Sequence, residues 1–145
     1  MAVSGFDHVA IPTSDPKAML LFYAALGFQV PEFAAWQASG VPFFSIQFGD
    51  NKINVHAPAL WRSEEFALRG PSASPGCGDF CFVWDGTLEE LRAALERAGA
   101  AIEAGPVELV GGRDGGRAIG TSLYTRDPDD NLLEFIVYGG RSSVL

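Results

Sequence analysis

Apolar residues along the chain recur with two different periods, and the switch between them outlines a fold. Residues 6–12 (FDHVAIP) form a short β-rich run, and Ser14, Asp15 and Pro16 then supply a helix start with proline in the first turn. Ala18, Leu21, Phe22, Ala25 and Leu26 return at helical spacing until Gly27, after which Phe28, Gln29 and Val30 resume an extended pattern. The plan repeats downstream. Residues 79–84 (DFCFVW) predict a strand, and Thr87 with Glu90 predicts a capping box. Leu88, Leu91, Ala94, Leu95 and Ala98 predict the apolar stripe of a helix, Gly99 ends it and Ile102 opens a further strand. The offsets agree: 71 residues separate His8 from Asp79, and 72 separate Gly27 from Gly99. Each half closes on a strand pair, 43–48 with 52–57 around Gly49-Asp50-Asn51, and 119–125 with 132–138 around the DPDDN turn at 127–131.

The pattern predicts an α+β fold of two βαβββ modules, at about 5–58 and 77–139, joined by a linker at about 59–76. The linker ends in a stretch rich in Ser, Gly and Pro, where a module boundary belongs. Neither module alone buries both a sheet and a helix, so the two are expected to pack as a single domain over 1–145.

Strand parity then singles out polar residues on apolar faces. Glu134 shares its face with Leu132 and Ile136, while Leu133, Phe135 and Val137 occupy the other. A carboxylate in that setting costs several kcal/mol unless it is paired, protonated or bound to a metal. The matching strand of the first module carries His56, with Asn54 on its own face. The two leading strands carry His8, beside Phe6 and Ala10, and Asp79, beside Cys77, Cys81 and Val83. His8 and His56 are the only histidines in the chain, and they match Asp79 and Glu134 strand for strand. A twofold relation between the modules would bring all four together. Two imidazoles and two carboxylates form a charge-balanced set for a divalent ion, with Zn, Ni, Co, Mn and Fe(II) all suited. Plainer roles stand beside this one. His8 marks a strand start, His56 is a hydrogen-bonded structural residue, Asp79 caps a loop, and Glu134 pairs with Arg126 or Arg117.

Composition narrows the setting. Eighteen acidic and 10 basic side chains in 145 residues give a net charge of −8, which argues against nucleic acid and anionic membranes. No apolar run approaches the roughly 20 residues of a membrane span, and the first residues lack the pattern of a signal peptide. Cys77 and Cys81 fall four apart on what reads as one strand. That puts their Cα atoms about 13 Å apart, too far for a disulfide. A reduced, cytoplasmic protein is expected.

The stretches DHVAIPTSD (7–15), FYAALGFQV (22–30) and LYTRDPDDNLLEFIVY (123–138) resemble the vicinal oxygen chelate superfamily, and the resemblance covers nearly the whole chain. That superfamily includes glyoxalase I, extradiol dioxygenases, fosfomycin-resistance enzymes and bleomycin-resistance proteins. NKINVHAP (51–58), PGCGDFCFV (75–83) and EAGPVELVG (103–111) are similar to its small branch called glyoxalase domain-containing protein 5. The resemblance implies paired modules whose mixed sheet curls into a metal-binding cup, with ligands at His8, His56, Asp79 and Glu134. Two departures stand out: Asp79 lies where many relatives carry His, and Asp130 where the DPDGN turn carries Gly. Aspartate enters the positive-φ region at modest cost, so the second is compatible with the same turn.

The implied activity is that of a glyoxalase-type lyase or isomerase. The metal chelates a small oxygenated substrate through two oxygens, and Glu134 serves as both ligand and general base. Four protein ligands leave two positions of an octahedral ion, enough for that substrate. An Fe(II) extradiol dioxygenase is the alternative if Asp79 is not a ligand, and a metal-free binding protein of the bleomycin-resistance kind is a third reading. Arg113 and Arg117, in the loop GGRDGGR (111–117), are candidate contacts for an anionic substrate, although a simple hairpin connection also accounts for that loop. Trp36, Trp61, Phe43 and Phe44 are candidates for the cup lining or for the core. No evident cluster of basic residues awaits the carboxylates of glutathione. The resemblance implies a homodimer whose only other partner is a small molecule.

Overall fold

A computed structural model describes residues 2–139. The chain forms two compact units, the first comprising the residues up to Gly78 together with Pro128–Asp130, the second Asp79–Asp127 and the residues from Asn131 onward. In the first unit, β1 (His8–Pro12), α1 (Pro16–Ala25), α2 (Phe33–Ser39), β2 (Phe43–Phe48), β3 (Asn51–His56) and α3 (Pro58–Trp61) follow in order. The second runs β4 (Asp79–Val83), α4 (Leu88–Arg97), β5 (Ala104–Val110), α5 (Arg113–Gly116), β6 (Ile119–Arg126) and β7 (Leu132–Val137). Their sheets are open, with strand orders β1-β3-β2 and β4-β7-β6-β5. Both are mixed: β1 runs parallel to β3 and β4 parallel to β7, while the remaining pairs are antiparallel. The fold is α+β, as the patterning predicts.

Local chemistry explains the element ends. Asp15 caps α1 by accepting from the Ala18 amide at 3.1 Å, and Pro16 opens the helix. Thr87 and Glu90 form the reciprocal capping box of α4 at 3.1 and 2.9 Å. Asp130 takes φ +70°, the left-handed conformation that the DPDDN turn demands. Asp127 then closes the turn by accepting from the Asn131 amide at 3.0 Å and from its side chain at 2.7 Å.

The first module departs from the predicted pattern. Where Phe28, Gln29 and Val30 predict a strand, only Gln29 pairs, with Gln47. The chain turns instead into α2, whose first amides, at Ala34 and Ala35, donate to Glu32 at 2.9 and 3.2 Å. A three-residue apolar run is too short to hold a ladder against that competing helix start.

Each sheet has one apolar face. Ile11, Phe44, Ile46, Ile53 and Val55 are buried in the first unit with Met19, Leu20 and Tyr23 of α1. Phe82, Leu123, Leu133, Phe135 and Val137 are buried in the second with Leu91 and Leu95 of α4. The alternate positions of the same strands carry the polar residues of interest. Cys77 precedes β4 and does not share a strand with Cys81, and both thiols are free. No described helix is long and apolar enough to cross a membrane.

Candidate functional site

Glu134 lies on β7 directly opposite Cys81 of β4 and directly opposite Tyr124 of β6. The buried Ser122 donates its hydroxyl to Glu134 at 2.5 Å, and the carboxylate's charge reaches the Tyr124 hydroxyl and the Cys81 thiol on the neighbouring strands. Neither arginine considered as its ion-pair partner takes that role. Arg126 holds Glu103 at 2.9 Å, and Arg117 holds Asp114 at 3.1 Å. Asp79, exposed at the start of β4, lies on the same face two residues from Cys81. Burial of the Cys81 thiol, reinforced by the charges of Glu134 and Asp79, pushes its pKa up to about 12. Burial and the Glu134 carboxylate likewise raise Tyr124, so both groups are protonated at neutral pH. These partners are missing from the parity reading. Counting across the five-residue turn finds them, because Arg126 opposite Leu132 sets Tyr124 opposite Glu134.

The first unit places its histidines on one face but not side by side. In the β1–β3 ladder His8 pairs with Lys52 and His56 with Pro12, a separation of four residues or about 13 Å along the strands. The ladder also corrects the internal equivalence expected of His56 and Glu134. Ala10 faces Asn54 as Cys81 faces Glu134, so the counterpart of Glu134 is Asn54, which accepts from Ser45 at 2.9 Å. A two-residue shift preserves the face, so the alternating pattern cannot detect it.

His8 is exposed and meets the Asp7 carboxylate at 2.6 Å through Nδ1. His56 packs edge-on against Phe66, with centroids 5.2 Å apart. Burial, and then the positive charge of Arg69, hold its pKa below the usual 6.5, so the imidazole is neutral at pH 7.

The remaining candidates have local partners. The Arg113 guanidinium lies 4.9 Å from the centre of the Tyr138 ring. The backbone between Arg113 and Arg117 forms a tight turn, with positive φ at Asp114 and Gly115. Phe44 is core, while Phe43 is exposed and accepts from the Trp36 indole at 2.8 Å through its carbonyl. The Trp61 indole donates to the Thr13 carbonyl at 2.8 Å.

The donor chemistry fits a borderline-to-hard divalent ion. His56 offers a neutral imidazole, and Glu134 offers oxygen ligands beside the neutral donor Ser122. Among the described residues, no three His, Cys, Asp or Glu side chains are grouped closely enough to hold such an ion.

Comparison with known proteins agrees with the fold. The chain is 31% identical over 140 residues to the glyoxalase domain-containing protein RDO1 of Mycosarcoma maydis, covering 95% of this chain and 70% of that one. It is 31% identical over 139 residues to the virulence protein STM3117 of Salmonella typhimurium, covering 95% of this chain and 87% of that one. The crystal structure of STM3117 superposes with a TM-score of 0.77 over 95% of this chain and 99% of that one. A lactoylglutathione lyase from Agrobacterium tumefaciens shares the fold at a TM-score of 0.66 and 20% identity, over 94% and 96% of the two chains. The model of the Glyoxalase/Bleomycin resistance protein/Dioxygenase superfamily matches residues 5–135, and the chain belongs to that superfamily.

Proposed function

We propose that this protein is a divalent-metal-dependent lyase or isomerase of the glyoxalase type, acting on a small oxygenated substrate. One observation carries the reading: Glu134 is an acidic side chain on a sheet face, held by Ser122, flanked across the ladders by Tyr124 and Cys81, and lacking a cationic partner among the described residues. His8, His56, Asp79 and Glu134 are the proposed ligands. When bound, the ion supplies Lewis acidity, drawing electron density from two substrate oxygens.

The chain's own part is proton transfer and positioning. Glu134 takes the proton from the carbon next to the carbonyl and returns it to the neighbouring carbon or oxygen. Ser122, itself buried, holds one oxygen of the carboxylate and leaves the other to act. Tyr124 stays protonated and, opposite Glu134 in the ladder, is the proposed second donor to the same group. Arg113 and Arg117 are proposed contacts for an anionic substrate, released from Tyr138 and Asp114 when one binds.

The exposure of Asp79 at the start of β4 favours a second reading. If Asp79 is not a ligand, His8, His56 and Glu134 remain as a two-His, one-carboxylate set and three positions open. That is the number needed by an Fe(II) dioxygenase acting on a catechol. Two assays on metal-reconstituted protein separate the readings: disappearance of methylglyoxal hemithioacetal, and oxygen uptake with catechols. The first activity, lost in Glu134→Gln, supports the proposal; oxygen uptake without it replaces the proposal with the second reading. Neither activity, together with no metal uptake, leaves a ligand-binding protein.

A further inference from the structure

The linker contains an arginine that is fixed in place yet has no acidic partner among the described residues. Arg69 is half-buried and immediately precedes a turn in which the Ala73 amide donates to the Gly70 carbonyl at 3.1 Å. Its guanidinium donates back across that turn to the Ala73 carbonyl and lies 5.9 Å from the centre of the Trp61 ring. The indole is itself anchored, because Trp61 donates to the Thr13 carbonyl at 2.8 Å and the Thr13 amide donates to the His56 carbonyl at 3.0 Å. Arg69 is thus tied, through Trp61 and Thr13, to the residue whose imidazole its charge reaches. Phe66, from the same linker, closes over that imidazole.

Charge makes the arrangement notable. The protein carries a net charge of −8, yet no described Asp or Glu pairs with Arg69. Arg62 stacks on the same indole at 4.9 Å, but only the charge of Arg69 reaches His56. A guanidinium has five donors in a rigid planar fork that matches a carboxylate, and only one is engaged by Ala73. Stacking and the turn have already removed its rotamer freedom, which lowers the entropic cost of binding.

We infer that Arg69 is the carboxylate anchor of the site, and that the substrate is a small monoanionic acid whose carboxylate is received beside His56. The inference rests on the proposed reading of the site and supplies its substrate class. One fixed guanidinium balances one carboxylate, which favours a monoanion over a phosphate dianion.

The test uses pyruvate, its neutral isostere pyruvamide, and inorganic phosphate, titrated into the full chain and followed by tryptophan fluorescence. Each titration is run on EDTA-treated protein and again with Mn(II) present. Pyruvate is expected to bind the wild type at least tenfold more tightly than pyruvamide, the scale of a lost charge-assisted hydrogen bond. Arg69→Gln should weaken pyruvate by roughly tenfold to a hundredfold and leave pyruvamide unchanged, while Arg69→Lys restores part of the preference. A thermal melt of each variant confirms folding. If Arg69 only holds its turn, Arg69→Gln weakens both ligands equally, and that result overturns the proposal. So do equal binding of pyruvate and pyruvamide to the wild type, absence of pyruvate binding in both conditions, and phosphate binding as tightly as pyruvate. The two readings fail separately: charge preference without Mn(II) uptake sinks the metal and keeps the anchor, whereas uptake without charge preference sinks the anchor alone.

Discussion

Cys81 faces Glu134 directly across the β4–β7 ladder, and its thiol is pushed up to about 12 by burial and then by that carboxylate. Only the thiolate is nucleophilic. Both cysteines are exposed, so the raised pKa alone should make iodoacetamide at pH 8 label Cys77 well ahead of Cys81, as peptide mass spectrometry would show. Glu134→Gln removes the second cause and should raise the labelling rate of Cys81 by several-fold, with burial still holding it below Cys77. Equal labelling of the two thiols in the wild type contradicts the described surroundings of Glu134.

His56 leads to a pH prediction with a definite sign. Its folded pKa lies below 6.5, so as pH falls the unfolded chain takes up that proton first. The stabilisation is present at pH 7 and is lost as pH drops below about 6.5 toward the depressed folded value. A melting-temperature profile should fall over that range and flatten in His56→Gln. In the same range, Arg69→Gln should move the NMR titration of His56 upward, since it removes the second of the two causes.

At Asp130, φ +70° sets the order of substitutions. Asp130→Gly should be more stable than Asp130→Ala by about 1 kcal/mol, because alanine carries a Cβ into the left-handed region and glycine does not. Chemical denaturation of the two variants measures the difference. Alanine equal to glycine would mean that the DPDDN turn takes another conformation in solution.

Thr87→Ala should cost about 1 kcal/mol by removing the hydroxyl that accepts from the Glu90 amide. Thr87→Ser should retain most of it. The same denaturation experiment decides, and an unaffected Thr87→Ala variant would rule out the capping box as the start of α4.

Most strands, α1, α4 and the alternation of Glu134 with the buried Leu133, Phe135 and Val137 were legible because each depends on local spacing and on residues within one turn or one strand. Asp15 before Pro16, Thr87 before Glu90, and Leu133, Phe135 and Val137 alternating around Glu134 carry that information in sequence order. Ladder position is different in kind. Whether His56 stands opposite Ala10 or Pro12 is decided by a crossover through α1 and the β2–β3 hairpin, and both choices keep it on the same face. The helix α2 was hidden by Phe28 and Val30, whose β-forming character outweighs the cap at Glu32 in any local reading. Arg69 was legible only as one residue of a Ser-, Gly- and Pro-rich linker. Its significance comes from Trp61, eight residues earlier in the chain.

Metal binding tests the central claim most directly. Co(II) added to EDTA-treated, desalted protein gives visible absorption that reports both stoichiometry and ligand field. The account predicts saturation at one equivalent per chain, with saturable binding lost in His8→Ala and Glu134→Gln while both variants keep the wild-type fold by circular dichroism. Absence of stoichiometric uptake by the wild type, or equal uptake by Glu134→Gln, would contradict it.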